Sequence, residues 1–462
     1  SVLVKGTQIG AITGVDGDFT LPNVPSSAKT LVISYIGMQT QEVAIKSSVK
    51  VVMKSDTEML DEVMVVAFGT AKKSAFTGSA KVVGTEKLEQ SQVTNVTDAL
   101  AGAVPGVTLT SNDGAPGSKS SIKIRGLGSI NNCDPLVVID GVPTDLGLSS
   151  LNMADVERLD VLKDASATAI YGSRGANGVV MITTKRGTEG KGKLAVSANY
   201  SFQNATNVPS LLNAAQYAEL SNDMMVNSGR NPNPEWANPS ELGAGTDWMD
   251  ELLRTGVMQN YTVSYSGGNE KSHYYVSGGF LDQSGIVKSV NYRRFTFQSN
   301  SDAQVLKWLK FSNNITFSAD TKKSGSYNIG DALKALPIYP VKNEDGSWSG
   351  PDGNSEWYGS TRNPIGPTEL NKSQTDGYNF LANLTAELTF TKWLKFKSTF
   401  GYDAKFWFID NFTPKYNWKP TPTEETSRYK SDNKSFTYLW DNYFLFDHTF
   451  AEKHRVGLMA GM

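Results

Sequence analysis

The chain has 462 residues, with 44 lysines and arginines balanced by 46 aspartates and glutamates. A net charge this close to zero argues against a nucleic-acid-binding protein, which needs a basic excess or a basic stripe. One cysteine, Cys133, and three histidines exclude an internal disulfide framework and argue against a cysteine- or histidine-built metal site. We therefore expect no metal and no cofactor.

The sequence contains no run of about 18 apolar residues, the length that a transmembrane helix requires. A membrane β-barrel remains open, because only alternate residues of its strands face lipid. The sequence begins at Ser1 in a strand-like segment, without a signal peptide, although an exported protein carries one. We therefore expect that the N-terminus has been removed by processing or truncation.

Residues 1–55 are predicted to form short strands joined by tight turns. Residues 15–21 (VDGDFTL) carry an Asp-Gly turn signal followed by alternating apolar residues, which predicts a hairpin. Further strands are predicted over residues 31–36 and 49–53. A calcium loop would need more spaced oxygen ligands ending in a glutamate, which this stretch lacks. The region predicts a small β-sandwich that is incomplete at its N-terminus.

Residues 56–69 are predicted to form a linker. Within it, residues 61–67 (DEVMVVA) form a short apolar run introduced by an acidic pair. One interpretation is a buried strand of the next domain. The other is a segment that adds itself as a strand to the sheet edge of a partner, where main-chain hydrogen bonds supply the affinity. Composition alone favours the buried strand.

Residues 70–187 mix helix and strand and predict a compact α+β domain. A helix is predicted over residues 96–102, where a glycine ends it and a proline follows shortly beyond. A second helix of small residues is predicted over residues 165–170. The predicted strands cover residues 122–125, 136–140, 156–163 and 179–184.

From residue 188 to residue 462, apolar and polar residues alternate along long segments, as in residues 194–202 (LAVSANYSF). Nine strands are predicted, each about long enough to cross a bilayer at a tilt. Their connections are alternately short and long, as residues 391–392 and 320–375 show. Outer-membrane barrels alternate in this way, whereas a soluble sandwich does not need to, so a partial transmembrane β-barrel is predicted. The strands cover residues 194–202, 259–267, 271–281, 292–301, 309–318, 380–390, 394–404, 436–449 and 455–462.

Two of the short turns lead into the same five residues, KWLKF, at 307–311 and 392–396. A tryptophan at that position fits an interfacial aromatic girdle, with lysines that reach towards head groups or water. Aromatic and amide side chains also occur in the long connections. They either stack on a ligand, such as a sugar or a peptide backbone, or pack within self-folded loops, and the sequence does not separate the two. They are Trp236, Trp248, Trp348, Trp357, Tyr358 and Asn363.

Four motifs occur in the order found in the plug domain of TonB-dependent receptors. Residues 97–107 (TDALAGAVPGV), 124–129 (IRGLGS) and 135–143 (PLVVIDGVP) resemble that plug. Residues 155–185, which include LKDASATAIYGSRGANGVV, resemble the SusC/RagA-like branch of the family. The resemblance extends to residues 1–55, which are similar to a carboxypeptidase-regulatory-like module, and more loosely through the barrel strands.

The resemblance implies a TonB-binding segment between the N-terminal module and the plug, so strand addition becomes the favoured interpretation there. The segment comprises Asp61, Glu62, Val63, Met64, Val65 and Val66. In the plug, glycines are expected to mark turns, and charged residues are expected to form structural ion pairs within the plug or with the barrel. These structural residues are Arg125, Gly126, Asp140, Gly141, Arg158, Gly172, Arg174 and Gly175. No residue is assigned to substrate.

The resemblance also implies a barrel of about 22 strands, as in plugged outer-membrane transporters. Nine strands cannot enclose a globular plug, and an open sheet edge is not tolerated in a membrane. We therefore expect the chain to be an N-terminal fragment of a longer receptor.

The implied function is TonB-dependent active import of an oligosaccharide or peptide nutrient across the Gram-negative outer membrane, with substrate-triggered plug movement. The implied partners are TonB, energised by ExbB and ExbD, a SusD-like surface lipoprotein, the glycan or peptide substrate and outer-membrane lipid. The plug and the N-terminal module are expected to face the periplasm. The alternative is a receptor or adhesin that uses the barrel as an anchor without energy-coupled transport. An enzyme is not expected, because no G-x-S-x-G, Walker or H-E-x-x-H motif occurs.

Overall fold

The computed structural model divides the chain into two compact units, Ser1–Gly78 and Ser79–Met462. In the part of the chain that the structure describes, no helix is both long enough and apolar enough to cross a membrane. The structure describes all residues except 1, 6, 8, 12, 15–16, 26–27, 36–37, 54–62, 67–68, 73–79, 85–95, 101, 112–113, 119, 127–132, 145–147, 165–167, 352–357 and 452.

The first unit contains an antiparallel sheet of order β2-β1-β3-β4. Its strands are β1 (Val2–Val4), β2 (Gly10–Ala11), β3 (Thr30–Tyr35) and β4 (Met38–Ala44). The buried face of the sheet is covered by chain from residues 19–24 and 45–53, which packs on the apolar side chains of β1 and β3. The strands predicted after the 15–21 turn and over residues 49–53 are wrong, because neither stretch joins a ladder. Residues 49–53 are instead held by packing and by a side-chain bond from Gln41 Nε2 to the Val52 carbonyl, 3.2 Å.

The first unit also contains a two-stranded hairpin, β5 (Val63–Val66) and β6 (Gly69–Lys72). Val63 pairs with Lys72 and Val66 with Gly69. The predicted linker therefore contains a strand, while its acidic pair lies outside the described residues.

The second unit begins with the α+β domain, here called the plug. Its central sheet has the order β11-β10-β13-β12-β7, and β8 and β9 form a separate hairpin. The strand β13 is buried almost throughout, which is why it contains a continuous apolar run, whereas the neighbouring β12 alternates apolar and charged residues. The strands are β7 (Ala80–Gly84), β8 (Val107–Ser111), β9 (Ser120–Ile124), β10 (Leu136–Ile139), β11 (Val142–Thr144), β12 (Val156–Leu162) and β13 (Val179–Thr184).

The first helix predicted in the plug is shorter than predicted, a single 3₁₀ turn at Asp98–Leu100, because Gly102 takes a φ of 65° and stops the helix almost at once. The second agrees with its described residues: Thr168 is helical and a 3₁₀ segment follows at Ala169–Gly175, which Gly172 interrupts with a φ of 57° and a ψ of −144°. Residues 165–167 lie outside the described part of the chain.

The nine strands predicted after residue 188 are confirmed. They form one antiparallel meander in chain order, here called the wall. Strands β19, β20 and β21 have 20, 20 and 24 residues, so they extend beyond a bilayer and shorten the connections predicted between them. The strands are β14 (Gly190–Gln203), β15 (Gly256–Asn269), β16 (Ser272–Ser284), β17 (Asn291–Leu306), β18 (Leu309–Lys323), β19 (Lys372–Thr391), β20 (Leu394–Thr413), β21 (Ser427–Phe450) and β22 (His454–Gly461).

The long connections of the wall contain helices that the sequence patterns did not predict. These are α1 (Ala214–Asn227), α2 (Trp248–Leu252), α3 (Ile329–Lys334) and α4 (Ile365–Leu370). Side chains from four connections pack together into one hydrophobic cluster, here called the loop core. Its buried members are Trp248, Met249, Leu252, Val287, Val290, Ala332, Ala335, Trp348, Ile365 and Trp418.

The two faces of the wall differ in chemistry. On the face that meets the plug, polar side chains such as Gln298 and Asn300 are buried. On the opposite face, large apolar side chains are exposed, including Leu194 at 69%, Tyr438 at 77% and Trp440 at 67%. A sheet of a soluble protein turns its polar face to water, whereas an outer-membrane barrel is apolar outside and polar inside. The wall has the barrel arrangement.

Candidate functional site

The plug lies against two neighbouring rows of wall side chains. In the first row, Leu381 packs into the hydrophobic core of the plug. In the second, a Cβ placed on Gly401 would lie 3.0 Å from the methyl groups of Val142, so the side chain of Val142 packs against the main chain of Gly401. The first row is Ser264, Ser277, Gln298, Thr316, Leu381 and Asp403, and the second is Ser266, Tyr275, Asn300, Asn314, Asn383 and Gly401.

Asp155 makes the first polar contact between plug and wall. It ends the 3₁₀ turn Met153–Asp155, which Asn152 caps by accepting a bond from Ala154 N at 3.1 Å. The Asp155 Oδ1 accepts hydrogen bonds from the Tyr275 hydroxyl at 2.8 Å and from Ser277 Oγ at 2.5 Å. Burial raises the pKa of the Asp155 carboxyl, and these two hydroxyls oppose the rise.

Asp140 makes a second contact, through Thr184. Its carboxylate accepts bonds from Thr184 N at 3.1 Å and Thr184 Oγ1 at 2.5 Å. From the wall, Asn300 Nδ2 donates to Thr184 Oγ1 and to the Lys185 carbonyl, both at 2.7 Å, and Asn383 Nδ2 donates to the Asp140 carbonyl at 2.8 Å. Burial raises the pKa of Asp140, while Arg186 opposes the rise.

Three further contacts lie at the interface. Thr144 Oγ1 donates to Asp403 Oδ2 at 2.5 Å, Asn152 Nδ2 donates to Thr262 Oγ1 at 3.0 Å, and Arg294 donates to the Ser149 carbonyl. Hydroxyl and amide groups of the wall supply most of these bonds. A bond between neutral groups contributes about 1 kcal/mol net, and a bond to a charged group about 1.5–3 kcal/mol. The amide bonds of Asn300, Asn383 and Asn152 can therefore be exchanged for water or for shifted partners at small cost. The contacts of Asp155, Asp403 and Arg294 hold more strongly.

The charged plug residues predicted from the sequence occupy different places. Arg125 pairs with Asp164 at 2.5 Å and Arg158 Nε with Asp160 at 3.1 Å, both within the plug. Arg174 is exposed, and Asp140 meets the wall where its main-chain carbonyl accepts a bond from Asn383.

The predicted plug glycines lie at turns. Gly126, Gly141 and Gly172 have φ values of 91°, 90° and 57°, a region that favours glycine. Gly175 owes its place to space instead, because a Cβ there would lie 2.9 Å from the Thr168 carbonyl oxygen.

Asn152, Asp155 and Thr184 are interface residues that the sequence patterns did not single out. Asp155 opens the longest of the four motifs and Thr184 falls near its end. In the wall, one sequence pattern could have indicated the face that meets the plug. Gln298 and Asn300 are amides at alternate positions of β17, and Phe295 and Phe297 lie on the other face of that strand.

The predicted TonB-binding segment is only partly described. Val63–Val66 forms β5, whereas Asp61 and Glu62 lie outside the described residues. Within the described part of the chain, β5 pairs with β6 and with no other strand.

The aromatic residues predicted in the long connections are mostly inside the loops. Trp236, Trp248 and Trp348 are buried, and Tyr358 meets the Trp236 ring edge-on at 5.5 Å. Trp357 lies outside the described residues.

Asn363 is buried in the same layer and uses both ends of its amide. Its Nδ2 donates to the Val341 and Ser349 carbonyls at 2.8 and 2.9 Å, and its Oδ1 accepts from Ile365 N and Gly366 N at 2.9 and 3.1 Å. Of the two interpretations of these aromatic and amide residues, the described ones favour packing within the loops.

A cleft of about 390 Å³ opens between the long connection that follows β14 and the long connection that follows β18. Its rim carries exposed Leu211, Leu212 and Leu333. Its two sides are joined by bonds from Thr246 N to the Pro337 carbonyl at 2.8 Å and from Trp248 Nε1 to the Leu336 carbonyl at 2.9 Å. The cleft lies at the long-loop end of the wall, and its lining combines these leucines with polar side chains, among them Asn213, Asp247 and Lys334. No group of three or more metal-binding side chains is found among the described residues.

Two family models match the chain. The TonB-dependent receptor plug domain matches residues 72–179, and the CarboxypepD_reg-like domain matches residues 1–65. "TonB-dependent receptor SusC" of Bacteroides thetaiotaomicron is 38% identical over 427 residues, which is 84% of this chain and 41% of that protein. "TonB-dependent receptor P3" of Formosa agariphila is 33% identical over 480 residues, 100% of this chain and 46% of that protein. The chain thus spans less than half the length of these relatives.

Solved structures agree with the sequence matches. The RagAB peptide importer in the "open-open" state superposes with a TM-score of 0.75 at 26% identity, covering 87% of this chain and 48% of that chain. The ferric citrate transporter FecA, at 14% identity and a TM-score of 0.52, shares the fold.

A plug lying against a barrel wall that is polar inside and apolar outside defines a TonB-dependent receptor. Within that class the chain is SusC/RagA-like, as its sequence relatives and the RagAB structures show. The relatives are named as receptors and transporters, in agreement with the prediction that the chain is not an enzyme.

Proposed function

We propose that this protein imports an oligosaccharide or peptide nutrient across the outer membrane by a TonB-dependent mechanism, and that the plug moves along the wall when substrate binds outside. The observation that supports plug movement most directly is the interface itself. It is built largely from neutral hydroxyl and amide contacts to Asp140, Thr144, Asn152, Asp155 and Thr184. Such contacts hold a closed plug and can exchange partners at small cost.

The proposed orientation places the short turns, the plug and the N-terminal module on the periplasmic side. Outer-membrane barrels have short periplasmic turns and longer outer loops. The wall follows that asymmetry, with Asn269 and Ser272 flanking one of its short turns and Lys323 and Lys372 flanking one of its long connections. A SusD-like surface lipoprotein over the long-loop end is the partner that this orientation and the family resemblance support.

The energy-coupling partner is TonB, driven by ExbB and ExbD, and its proposed docking segment comprises residues 61–66. The described part of this segment, Val63–Val66, is the strand β5, which pairs with β6. A strand with a free edge can add to a sheet of another protein by main-chain hydrogen bonds.

Of the two substrate classes, the described loops favour a peptide. Sugars are commonly bound by exposed aromatic planes, yet Trp236, Trp248 and Trp348 are buried. The cleft at the long-loop end instead offers the aliphatic side chains of Leu212 and Leu333, which suit apolar side chains of a peptide.

The proposal is tested by separating binding from uptake. A panel of peptides and oligosaccharides first identifies the nutrient on which growth depends on this receptor. The substitution Val65→Pro removes a main-chain donor from the proposed docking strand, and Val65→Thr keeps both the donor and a β-branched side chain. We expect Val65→Pro to bind the nutrient at the cell surface but to take it up no faster than a strain without TonB, and Val65→Thr to retain uptake.

Energy-coupled uptake that survives in Val65→Pro cells and also in cells lacking residues 61–67 would contradict TonB docking at this segment. Surface binding without TonB-dependent uptake in wild-type cells would favour the alternative, a receptor or adhesin that uses the barrel only as an anchor.

A further inference from the structure

The tip of the plug hairpin β8–β9 reaches the long-loop end of the wall. Residues 114–118 (GAPGS) form the described part of the tip, and Ser118 N donates to the Ala115 carbonyl at 3.0 Å. Gly114 and Gly117 have φ values of 62° and 69°, so both stand in backbone conformations that favour glycine. The two glycines differ in what surrounds them.

The main chain of Gly117 lies against the ring of Tyr292 in the wall. A Cβ placed on Gly117 would be 2.3 Å from Tyr292 Cδ2 and 2.7 Å from Cγ, whereas a Cβ on Gly114 would meet nothing within 4 Å. The Tyr292 ring is itself fixed, because it is 5% exposed and packs with Met258 and Leu281. The tip therefore contacts a fixed aromatic ring, that of Tyr292, through the main chain of Gly117.

A second wall strand, the connection after β16 and the loop core also touch the tip. Lys322 Nζ donates to Ser118 Oγ at 3.3 Å, and Pro116 lies beside Gly285. Ala115 packs against the loop core, to which four long connections contribute. A rearrangement of any of those connections therefore acts on the tip through direct packing.

The other end of the hairpin is bound to the plug. Side chains of β8 and β9 pack into the plug core, among them Leu109 and Ile122. Ser121 Oγ and Lys123 Nζ both donate to Asp134 Oδ1 at 3.1 Å. Asp134 follows Cys133, which is 5% exposed, so the hairpin is bonded to the residue beside the one cysteine of the sequence.

We propose that the hairpin β8–β9 transmits the state of the outer loops to the plug, and that Tyr292 is the positioning residue that holds its tip at Gly117 in the closed state. This proposal rests on the proposed plug movement, but its contacts are independent of TonB and of the substrate. The coupling runs from the loop core to the tip through the packing of Ala115. From the tip it continues along β9 to Asp134, the residue next to Cys133.

The test measures seating of the tip without any substrate. Purified full-length receptor in detergent is treated with a maleimide, and modification of Cys133 is followed by mass spectrometry of its peptide. Gly117→Ala forces a methyl group into the Tyr292 ring and is expected to raise the modification rate at least about fivefold, the lower end of typical couplings between sites. Gly114→Ala carries the same positive-φ strain without the collision, and we expect it to stay within about twofold of wild type.

A double-mutant cycle completes the test. Tyr292→Ala is expected to raise the rate by itself, and adding Gly117→Ala to it should change the rate little, because the ring that the methyl would strike is gone. Tyr292→Phe keeps the ring and should resemble wild type. Equal effects of Gly114→Ala and Gly117→Ala, or additive effects of Gly117→Ala and Tyr292→Ala, would overturn the proposal. Heat-modifiable migration confirms that each variant barrel is folded, and uptake by Val65→Pro cells remains a separate test of transport.

Discussion

The carboxyl group of Asp155 lies between plug and wall, with two hydroxyl donors and 4% of its residue surface exposed. Burial raises its pKa above the ordinary 3.8, because the charged form loses more solvation than the two hydroxyls restore. A raised carboxyl pKa means that the folded state binds a proton more readily than the unfolded state. Its contribution to stability is therefore full below pH 3.8 and is lost as the pH rises through the raised pKa.

Asp155→Asn removes this titration while keeping an acceptor oxygen for Tyr275 and Ser277. We expect the melting temperature of the variant, relative to wild type, to rise as the pH is taken from about 3.5 to about 7.5. Calorimetric scans of the receptor in detergent across that range measure the difference. Asp223→Asn, on the exposed side of α1, is the control and should show no comparable trend. A difference between Asp155→Asn and wild type that stays constant with pH would contradict the assignment.

For single residues, the sequence indicated which charged residues of the plug have a structural role. It did not indicate which wall residues they contact. Asp140 was expected as a charged structural residue, and it does lie at the wall. The partners of Asp155 lie 120 and 122 positions further along the chain. A pairing at such separation depends on the register of the wall against the plug, which no local pattern encodes.

Among the elements, strands were predictable and loop helices were not. All nine wall strands follow from the alternation of polar and apolar residues. In β17 it appears as alternate burial, whereas β14 and β22 are largely exposed. Helix α1 carried a usable signal that was missed, the capping box of Asn213 and Gln216. Helices α2, α3 and α4 have 5, 6 and 6 residues, too short for a periodic pattern, and are held by the loop core instead of by their own sequence.

Asn363 is the residue on which the loop layer depends most for its polar contacts. Replacing it by alanine leaves the Val341 and Ser349 carbonyls and the Ile365 and Gly366 amides without their partner. Each buried group left unsatisfied costs about 1–3 kcal/mol, so the loss of four partners is expected to destabilise the loop layer by about 4 kcal/mol or more.

Limited proteolysis measures this effect, because cleavage within residues 324–371 should become much faster while the strands of the wall stay intact. Asn343→Ala is the matched control in the same connection, since Asn343 is exposed and its amide makes a single bond to Ser347 Oγ at 2.9 Å. Equal protease sensitivity of the two variants would show that the loop layer does not depend on the buried amide.

At the scale of the whole wall, the two faces impose opposite demands on neighbouring residues. Phe297 is 38% exposed on the outer face, and Gln298, the next residue, is 1% exposed against the plug. The sequence showed that apolar and polar side chains alternate along the wall strands. It did not show which of the two faces lipid, and the structure decides this because the polar side chains are buried beneath the plug. The same pair of positions therefore distinguishes a membrane wall from a soluble sheet.

Phe297→Lys places a charge on the face assigned to lipid, which costs about 2–4 kcal/mol at the midplane of an outer-membrane barrel. We expect less folded receptor in the outer membrane, measured by heat-modifiable migration of the membrane fraction. Gln298→Lys, on the other face, should still reach the membrane fraction because that face does not contact lipid, but its buried charge should weaken the contacts with Thr184 and Asn300. A Phe297→Lys protein that accumulates folded in the soluble fraction would contradict the lipid-facing assignment, because a soluble sheet gains from an added surface charge where a barrel loses.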